Sequence, residues 1–398
     1  MAKNLTADID EIMPGMVADR RWLHENPELG FQEHKTSEFV RQRLESLGVD
    51  DIRTGIAQTG ITALIRGTKP GPERVVLLRA DMDALPLTEE NDVDYRSRTD
   101  GVMHACGHDG HTAMLLGVAR LLMDRRDQFS GAVKLLFQPS EEANEGGAKP
   151  MIEAGVLEDP HVDAVFGQHV AAEKPTGTVW VKGGPLQASA DSFTIRVQGV
   201  GGHGATPQMS VDPIVVGMRI VDALQTIVSR NIDPMEQAVV SVCTFHAGTA
   251  GNIIPDTAEM SGTVRTFTPE NRDLAEQRMK EIATNVASAM GASAVVDYQR
   301  GYPPTVNDPE MADLVWNAAV KAIGQERVHE AYPIMPAEDF SYFLIERPGT
   351  YFMTGSGNEE RGIVWPHHHP KFDLDEESFQ YGVAVMVQTA LDYLNAGA

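Results

Sequence analysis

The chain has 398 residues, with 33 Lys and Arg against 57 Asp and Glu and a formal net charge of −24. That length predicts two or three domains of ~100–200 residues. Its 42% hydrophobic and 23% charged content is that of a globular protein and excludes wholesale disorder. The negative charge argues against nucleic-acid and anionic-membrane partners, which need clustered Lys and Arg. No run approaches the ~20 apolar residues of a membrane helix. The acidic start MAKNLTADIDEIM reads as no export signal. Two cysteines, Cys106 and Cys243, make no disulfide framework, so the expectation is a cytoplasmic protein.

In chain order, residues 1–50 read as helical. Thr36 is the expected cap of a helix carrying Phe39, Val40, Arg43, Leu44 and Leu47, with Gly48 its stop. Brief apolar runs at Ile61–Ile65, Val75–Leu78, Val133–Phe137 and Ala164–Phe166 predict buried strands, and Thr112–Met123 a buried helix. This alternation predicts an α/β domain with a largely parallel sheet and helices on both faces. The rhythm changes after Lys182-Gly-Gly-Pro185. Strands at Phe193–Gln198, Ala238–Phe245, Ala258–Phe267 and Ala294–Tyr298, with helices at Pro213–Val228 and Glu270–Met290, give the order β-α-β-β-α-β of a ferredoxin-like sandwich. Helices return at Met311–Ile323 and Ser378–Leu394, around a strand near Tyr351–Met353. The predicted organisation is therefore one discontinuous domain, 1–185 and 301–398, interrupted by an inserted domain at 186–300.

Six of the 13 histidines fall in two windows, 104–111 and 367–369. In His104-Ala-Cys-Gly-His-Asp-Gly-His111, the Cys and His two apart can reach one ion, and thiolate and imidazole suit Zn-like metals. Glu141 and Glu142 follow the Val133–Phe137 run, where open α/β sheets place their ligands. Adjacent carboxylates repel, so one is expected to be held by a cation while its neighbour accepts protons. Asp81-Met-Asp83 and Gln168-His169 stand at other predicted strand ends, and Trp365-Pro-His-His-His-Pro370 adds a further group to the same site. Gly199-x-Gly201-x-x-Gly204 matches a dinucleotide fingerprint, but Pro207 and Pro213 prevent a helix from opening there. His203 within it is read as one imidazole presented on a flexible loop. Cys243 is expected to be a packed hydrophobe. There is no H-E-x-x-H, Walker loop or Gly-x-Ser-x-Gly elbow.

These motifs, with Gly251-Asn-Ile-Ile-Pro255 and Gly262-Thr-Val-Arg265, resemble the M20 metallopeptidases over essentially the whole chain, and most closely their amidohydrolase branch, which includes hippurate hydrolases. The resemblance implies a zinc-peptidase-like catalytic domain with an inserted lid and dimerisation domain. It implies two divalent ions held by Cys106, His108, Glu142, His169 and His368. Zn or Mn come first, with Co or Ni as alternatives. Glu141 would be the general base, with Asp83 orienting the ligands from behind. The wider family has a metal-binding His where this chain has Asp81, so the role of Asp81 stays open. His203, Asn252 and Arg265 would grip the substrate from the lid. The implied activity is hydrolysis of N-acyl-amino acids such as N-benzoylglycine, in a homodimer or dimer of dimers joined through the inserted domain. Deacetylation of N-acetyl-amino acids (N-acetyl-diaminopimelate type included), a dipeptidase, and a non-catalytic binding protein are the alternatives.

Overall fold

The computed structural model describes residues 5–143 and 146–396. The chain divides into two compact units. One runs to Gly184 and resumes at Val306–Tyr332 and from Asp339 onward. The other comprises Pro185–Thr305 with Pro333–Glu338.

The first unit is built on an eight-stranded sheet. Its strand order is Asp50–Ile56, Gly60–Arg66, Ala132–Gln138, Val75–Asp81, Ala164–Pro175, Gly349–Gly357, Val179–Val181 and Val328–Glu330. The four strands from Ala132–Gln138 to Gly349–Gly357 are mutually parallel. Antiparallel pairs flank them on both sides, and Val328–Glu330 lies parallel to Val179–Val181 at one edge. Every residue of Val75–Asp81 and Ala132–Gln138 is buried, which is why both read as mainly apolar runs without a period-two alternation. Helix His108–Met123 is likewise buried except at Arg120 and Met123. It packs on helices Leu5–Glu25 and Ser378–Asn395. Its Met114, Leu115, Val118 and Leu122 share one core with Val76, Leu78, Val133 and Phe137 of the sheet. Each such side chain contributes about 1.5–3 kcal/mol of burial free energy. The mostly parallel topology puts several carboxyl ends on one edge, and the site forms there.

The second unit is a four-stranded antiparallel sheet in the order Ala238–Ala247, Thr257–Thr266, Asp191–Gln198 and Ser293–Arg300. Helices Pro213–Thr226 and Pro269–Ala289 pack on it, and this is the ferredoxin-like arrangement. Asp212 caps the first helix by accepting Ile214 N–H, ahead of Pro213 at its first position. No helix opens at the glycines of 199–204. The chain makes a two-residue ribbon there, Gly202–His203 against Ile253–Ile254. No helix among the described residues is long and apolar enough to cross a membrane.

Three details depart from the sequence reading. The second helix begins at His34, and Thr36 lies inside its first turn. Its N–H and hydroxyl both donate to Glu28, so a distant carboxylate does the capping. Cys243 is exposed rather than packed. The register of its edge strand slips between Val242 and Thr244, which removes Cys243 from the inward alternation. Finally, Pro333–Glu338 joins the second unit because Ile334 bonds through its N–H and C=O to Leu186 and Ala188, a non-local pairing without periodicity.

Candidate metal centre

The site is assembled at the carboxyl ends of three adjacent parallel strands, Ala132–Gln138, Val75–Asp81 and Ala164–Pro175. Asp83, just past the second of these, is the organising acceptor. Its Oδ1 takes the Glu141 N–H and its Oδ2 the Glu142 N–H, both at 2.9 Å, and Oδ1 also stands 3.2 Å from His108 Nδ1. One carboxylate thereby sets the paired glutamates and a histidine. Ser140, which precedes them, has the left-handed φ of 56°. That conformation costs a non-glycine residue about 1 kcal/mol or more. It is braced by Glu33, whose Oε1 accepts Ser140 N–H at 2.8 Å and whose Oε2 accepts the Thr59 hydroxyl at 2.6 Å. Gly30 has no side chain because a Cβ there would stand 2.6 Å from Ser140 Oγ. Burial, with a further contribution from Asp83, pushes the Glu33 carboxyl up to about 7.

The expected metal ligands converge. Ligand atoms of Cys106, His108 and His169 lie within 4.8 Å of one another, and so do those of Cys106, Glu142 and His368, and of His108, Glu141 and Glu142. Cys106 Sγ is 3.4 Å from His169 Nε2. His169 Nδ1 donates to Val170 O at 2.6 Å, which turns the lone pair of Nε2 inward. His108 and His368 approach Glu142 Oε1 through Nε2 at 3.9 Å and 3.1 Å. Neither His108 Nε2 nor Glu142 Oε1 has an aligned hydrogen-bond partner among the described residues, although both are buried.

The three consecutive histidines have three different tasks. His368 adopts φ 63°, donates its N–H to Ala105 O, and turns its ring to Glu142. His367 accepts Ala172 N–H, while His369 stacks on Trp365 and accepts Lys371 N–H. In the first histidine window, Asp109 is bound behind the site by Arg20 and His24 at 2.8 Å each. His104 is buried with neither ring nitrogen hydrogen-bonded among the described residues.

The donor set fits a cation on electrostatic grounds. Burial opposes a charge on His108, yet Asp81, Asp83 and Glu142 carry its pKa up to about 10. Burial and then Glu142, Glu141 and Asp81 push the Cys106 thiol well above its ordinary range. Burial, and then the neighbouring imidazoles of His111 and His367, hold His169 neutral. The pocket thus carries negative charge in excess around a buried imidazole nitrogen, His108 Nε2, that has no aligned partner among the described residues. Divalent cations answer each of these demands: they replace the His108 proton and convert the thiol to thiolate.

Of the residues expected to grip substrate, His203 and Asn252 are exposed on the same ribbon, where His203 pairs with Ile253 and Gly204 N–H donates to Asn252 O at 2.9 Å. Ala205 N–H donates to His203 Nδ1 at 3.0 Å, which leaves the ring proton on Nε2. Arg265 lies eight residues along the strand from Thr257, roughly 25 Å at strand rise, and donates to Thr263 Oγ1 and Val264 O. Those two groups are not brought together within the unit.

Sequence reasoning missed Glu33, Arg79 and His111. Glu33 and Arg79 carry no local signal, since their contacts are long-range. His111 sits within the first histidine window, but only its hydrogen bonds separate bracing from ligation.

Comparison with known proteins places the chain in a family. The model of peptidase family M20/M25/M40 matches residues 77–392. Thermostable carboxypeptidase 2 of Saccharolobus solfataricus is 43% identical over 398 residues, covering 99% of each chain. N-acetylcysteine deacetylase of Bacillus subtilis is 42% identical, covering 90% of this chain and 91% of its own. A solved dinuclear metal-binding peptidase of the M20 family, the YXEP protein of Bacillus subtilis, superposes with a TM-score of 0.85 at 36% identity, covering 97% of this chain and 99% of that one. With its carboxylate-bound glutamate pair beside a Cys, His and Glu donor set, the chain belongs to peptidase family M20/M25/M40 and is a hydrolase of amide bonds.

Proposed function

We infer that this protein cleaves N-acyl-amino acids, with N-benzoylglycine as the first candidate, to a carboxylic acid and a free amino acid. The observation that supports it most is the Asp83 clamp. It holds Glu142 among the cation donors and leaves Glu141, its neighbour, to move protons. Cys106, His108, Glu142, His169 and His368 would hold two divalent ions, with Zn or Mn first and Co or Ni as alternatives. When bound, such ions lower the pKa of water from ~16 towards ~7 and polarise an amide carbonyl. Glu141 takes the proton of the attacking water and delivers it to the leaving nitrogen. His203, with its proton on Nε2, donates to the carbonyl oxygen as charge develops there, and Arg265 pairs with the amino-acid carboxylate.

The wide separation of His203 and Arg265 favours a homodimer. One small substrate cannot touch both within a single unit, so a second copy supplies one of them. Helix Pro213–Thr226 leaves Val215 and Met218 exposed, a surface for that contact. A cytoplasmic setting fits the two unpaired cysteines. Deacetylation of N-acetyl-amino acids is the second reading, favoured by the likeness to N-acetylcysteine deacetylase.

The test is a panel of benzoyl-, acetyl- and indoleacetyl-amino acids, with dipeptides bearing a free amino terminus, assayed with Zn, Mn, Co and Ni. Turnover highest on benzoyl conjugates supports the first reading, and highest on acetyl conjugates the second. Preference for dipeptides, or inertness of the metal-loaded protein towards every acyl-amino acid, would overturn both.

A further inference from the structure

The ladder between strands Val75–Asp81 and Ala164–Pro175 runs from Val76 opposite Ala164 to Arg79 opposite Gly167 and stops there. Beyond it the second strand continues through His169 and Val170, paired on its other side with Met353 and Thr354. The inward edge at Val170 therefore has no strand to take its N–H. The ring of His111, from the first turn of the His108–Met123 helix, fills that gap. Val170 N–H donates to His111 Nε2 at 2.9 Å. Because Nε2 accepts, the ring proton is on Nδ1, which donates to Asp81 Oδ1 at 2.6 Å. Asp81 is committed throughout. Its Oδ2 accepts from Arg79 at 2.6 Å, and its backbone oxygen takes the Thr112 hydroxyl at 2.9 Å. Arg79 is in turn anchored by Gln138 and Asp339 at 2.9 Å each, all of these side chains being buried.

The residue so gripped is the neighbour of an expected ligand. Val170 O accepts from His169 Nδ1, so both polar groups of Val170 act on the orientation of His169. The His111 and His169 rings stand 4.5 Å apart and nearly perpendicular. Val170 is also held from the side, because Gly107, with φ 90°, has no Cβ where one would lie 2.4 Å from Val170 Cγ2. Asp81, His108 and His111 have the spacing of a cation site, but both ring nitrogens of His111 are occupied and the Arg79 guanidinium already places a positive charge 2.6 Å from Asp81 Oδ2.

We propose that His111 is a positioning residue that replaces the missing strand bond and aims His169 Nε2, and that Asp81, backed by Arg79, holds His111 in the tautomer this requires and does not itself bind metal. The proposal rests on the metal-dependent reading above and gives Asp81 a task other than that of the histidine found there in the wider family.

Binding of Co²⁺ alone tests it, by calorimetric titration and by the visible absorption of the Co²⁺-loaded protein, with melting temperature as a fold control. Placement of a ligand by residues behind it is worth ~10–100-fold in metal affinity. Gln at 111 can reach Val170 N–H with an acceptor, whereas Asn is too short. His111→Asn should therefore lose about tenfold or more in Co²⁺ affinity and shift the d–d bands, while the thiolate-to-cobalt band of Cys106 persists. His111→Gln should recover much of the loss, and Asp81→Asn should leave the number of bound ions unchanged. A merely space-filling role would give Asn and Gln similar affinities. Equal affinities for His111→Asn, His111→Gln and the parent, a lost ion in Asp81→Asn, or a parent that binds no Co²⁺ would each overturn the proposal. A parent that binds Co²⁺ normally and cleaves no acyl-amino acid would sink the functional reading alone.

Discussion

Replacing Asp83 by Asn changes one atom and tests whether this carboxylate organises catalysis. Asp83 accepts two backbone N–H groups, from Glu141 and Glu142, at 2.9 Å and faces His108 Nδ1 at 3.2 Å, with the donors divided between its two oxygens. A carboxamide has a single acceptor oxygen. Whichever way it turns, its NH₂ meets at least one N–H head-on, and the surviving bond loses its charge. A hydrogen bond to a charged group contributes ~1.5–3 kcal/mol, so the turn bearing the glutamates loses about 2–4 kcal/mol of constraint. If that loss is felt in the transition state, kcat/KM falls by roughly 30- to 1,000-fold, at ~1.4 kcal/mol per decade. The loss should fall on kcat more than on KM, because Glu141 acts on the proton in flight rather than on bound substrate. The assay is steady-state hydrolysis of the best acyl-amino acid at saturating metal, with metal content measured on the same samples. Activity within threefold of the parent, or a loss fully restored by excess metal, would refute the argument.

Glu141→Gln should lower turnover by several orders of magnitude while metal content and melting temperature stay nearly unchanged; near-normal turnover would remove Glu141 from the mechanism. For Glu33, whose folded pKa of about 7 lies above the ordinary 4.5, the protonated form favours the folded state. The stability it contributes is complete below pH ~4.5 and is lost as pH rises towards 7, by an amount on the order of 3 kcal/mol. Thermal melts of Glu33→Gln should show a smaller fall in stability across that window, and an unchanged pH profile would contradict the assignment. His203→Ala should impair hydrolysis without loss of metal. Mixed with Glu141→Gln after subunit exchange it should regain part of the activity, and demonstrable exchange with none regained would place His203 within its own chain's site or outside catalysis.

The secondary structure was legible wherever a single physical pattern dominated. The strands Val75–Asp81 and Ala132–Gln138 are mainly apolar without alternation because both faces are covered, and the Asp191–Gln198 strand alternates because one face is open. Ligand-like residue types at strand ends were legible for the same reason, since a parallel sheet gathers its carboxyl ends. Hydrogen bonds between distant segments were not. Glu33 and Ser140 are 107 positions apart, Arg79 and Asp339 260 apart, and neither pair has any periodicity to betray it. Cys243 was misread because a bulge, invisible in composition, interrupts the alternation that would have turned it inward.

The histidines show how far residue type can carry an inference before geometry must take over. Spacing supports a cation near Cys106 and His108, yet His104 and His111 share that window and His367 and His369 flank His368 with identical chemistry. What separates them is the partner each nitrogen already has. His111 is used at both nitrogens, by Asp81 and Val170, while His367 and His369 each spend one on a backbone N–H. His108 Nε2 alone among these is buried, unpaired and set amid the ligand atoms of Cys106, His169 and Glu142. A buried polar atom with no partner costs about 1–3 kcal/mol, a cost that a ligand at His108 Nε2 would relieve. Partner and place together put His108 among the donors and leave His111 as a brace. Asp81 fits the same division: the Arg79 guanidinium already sets a positive charge against one of its oxygens, and the other fixes the His111 ring.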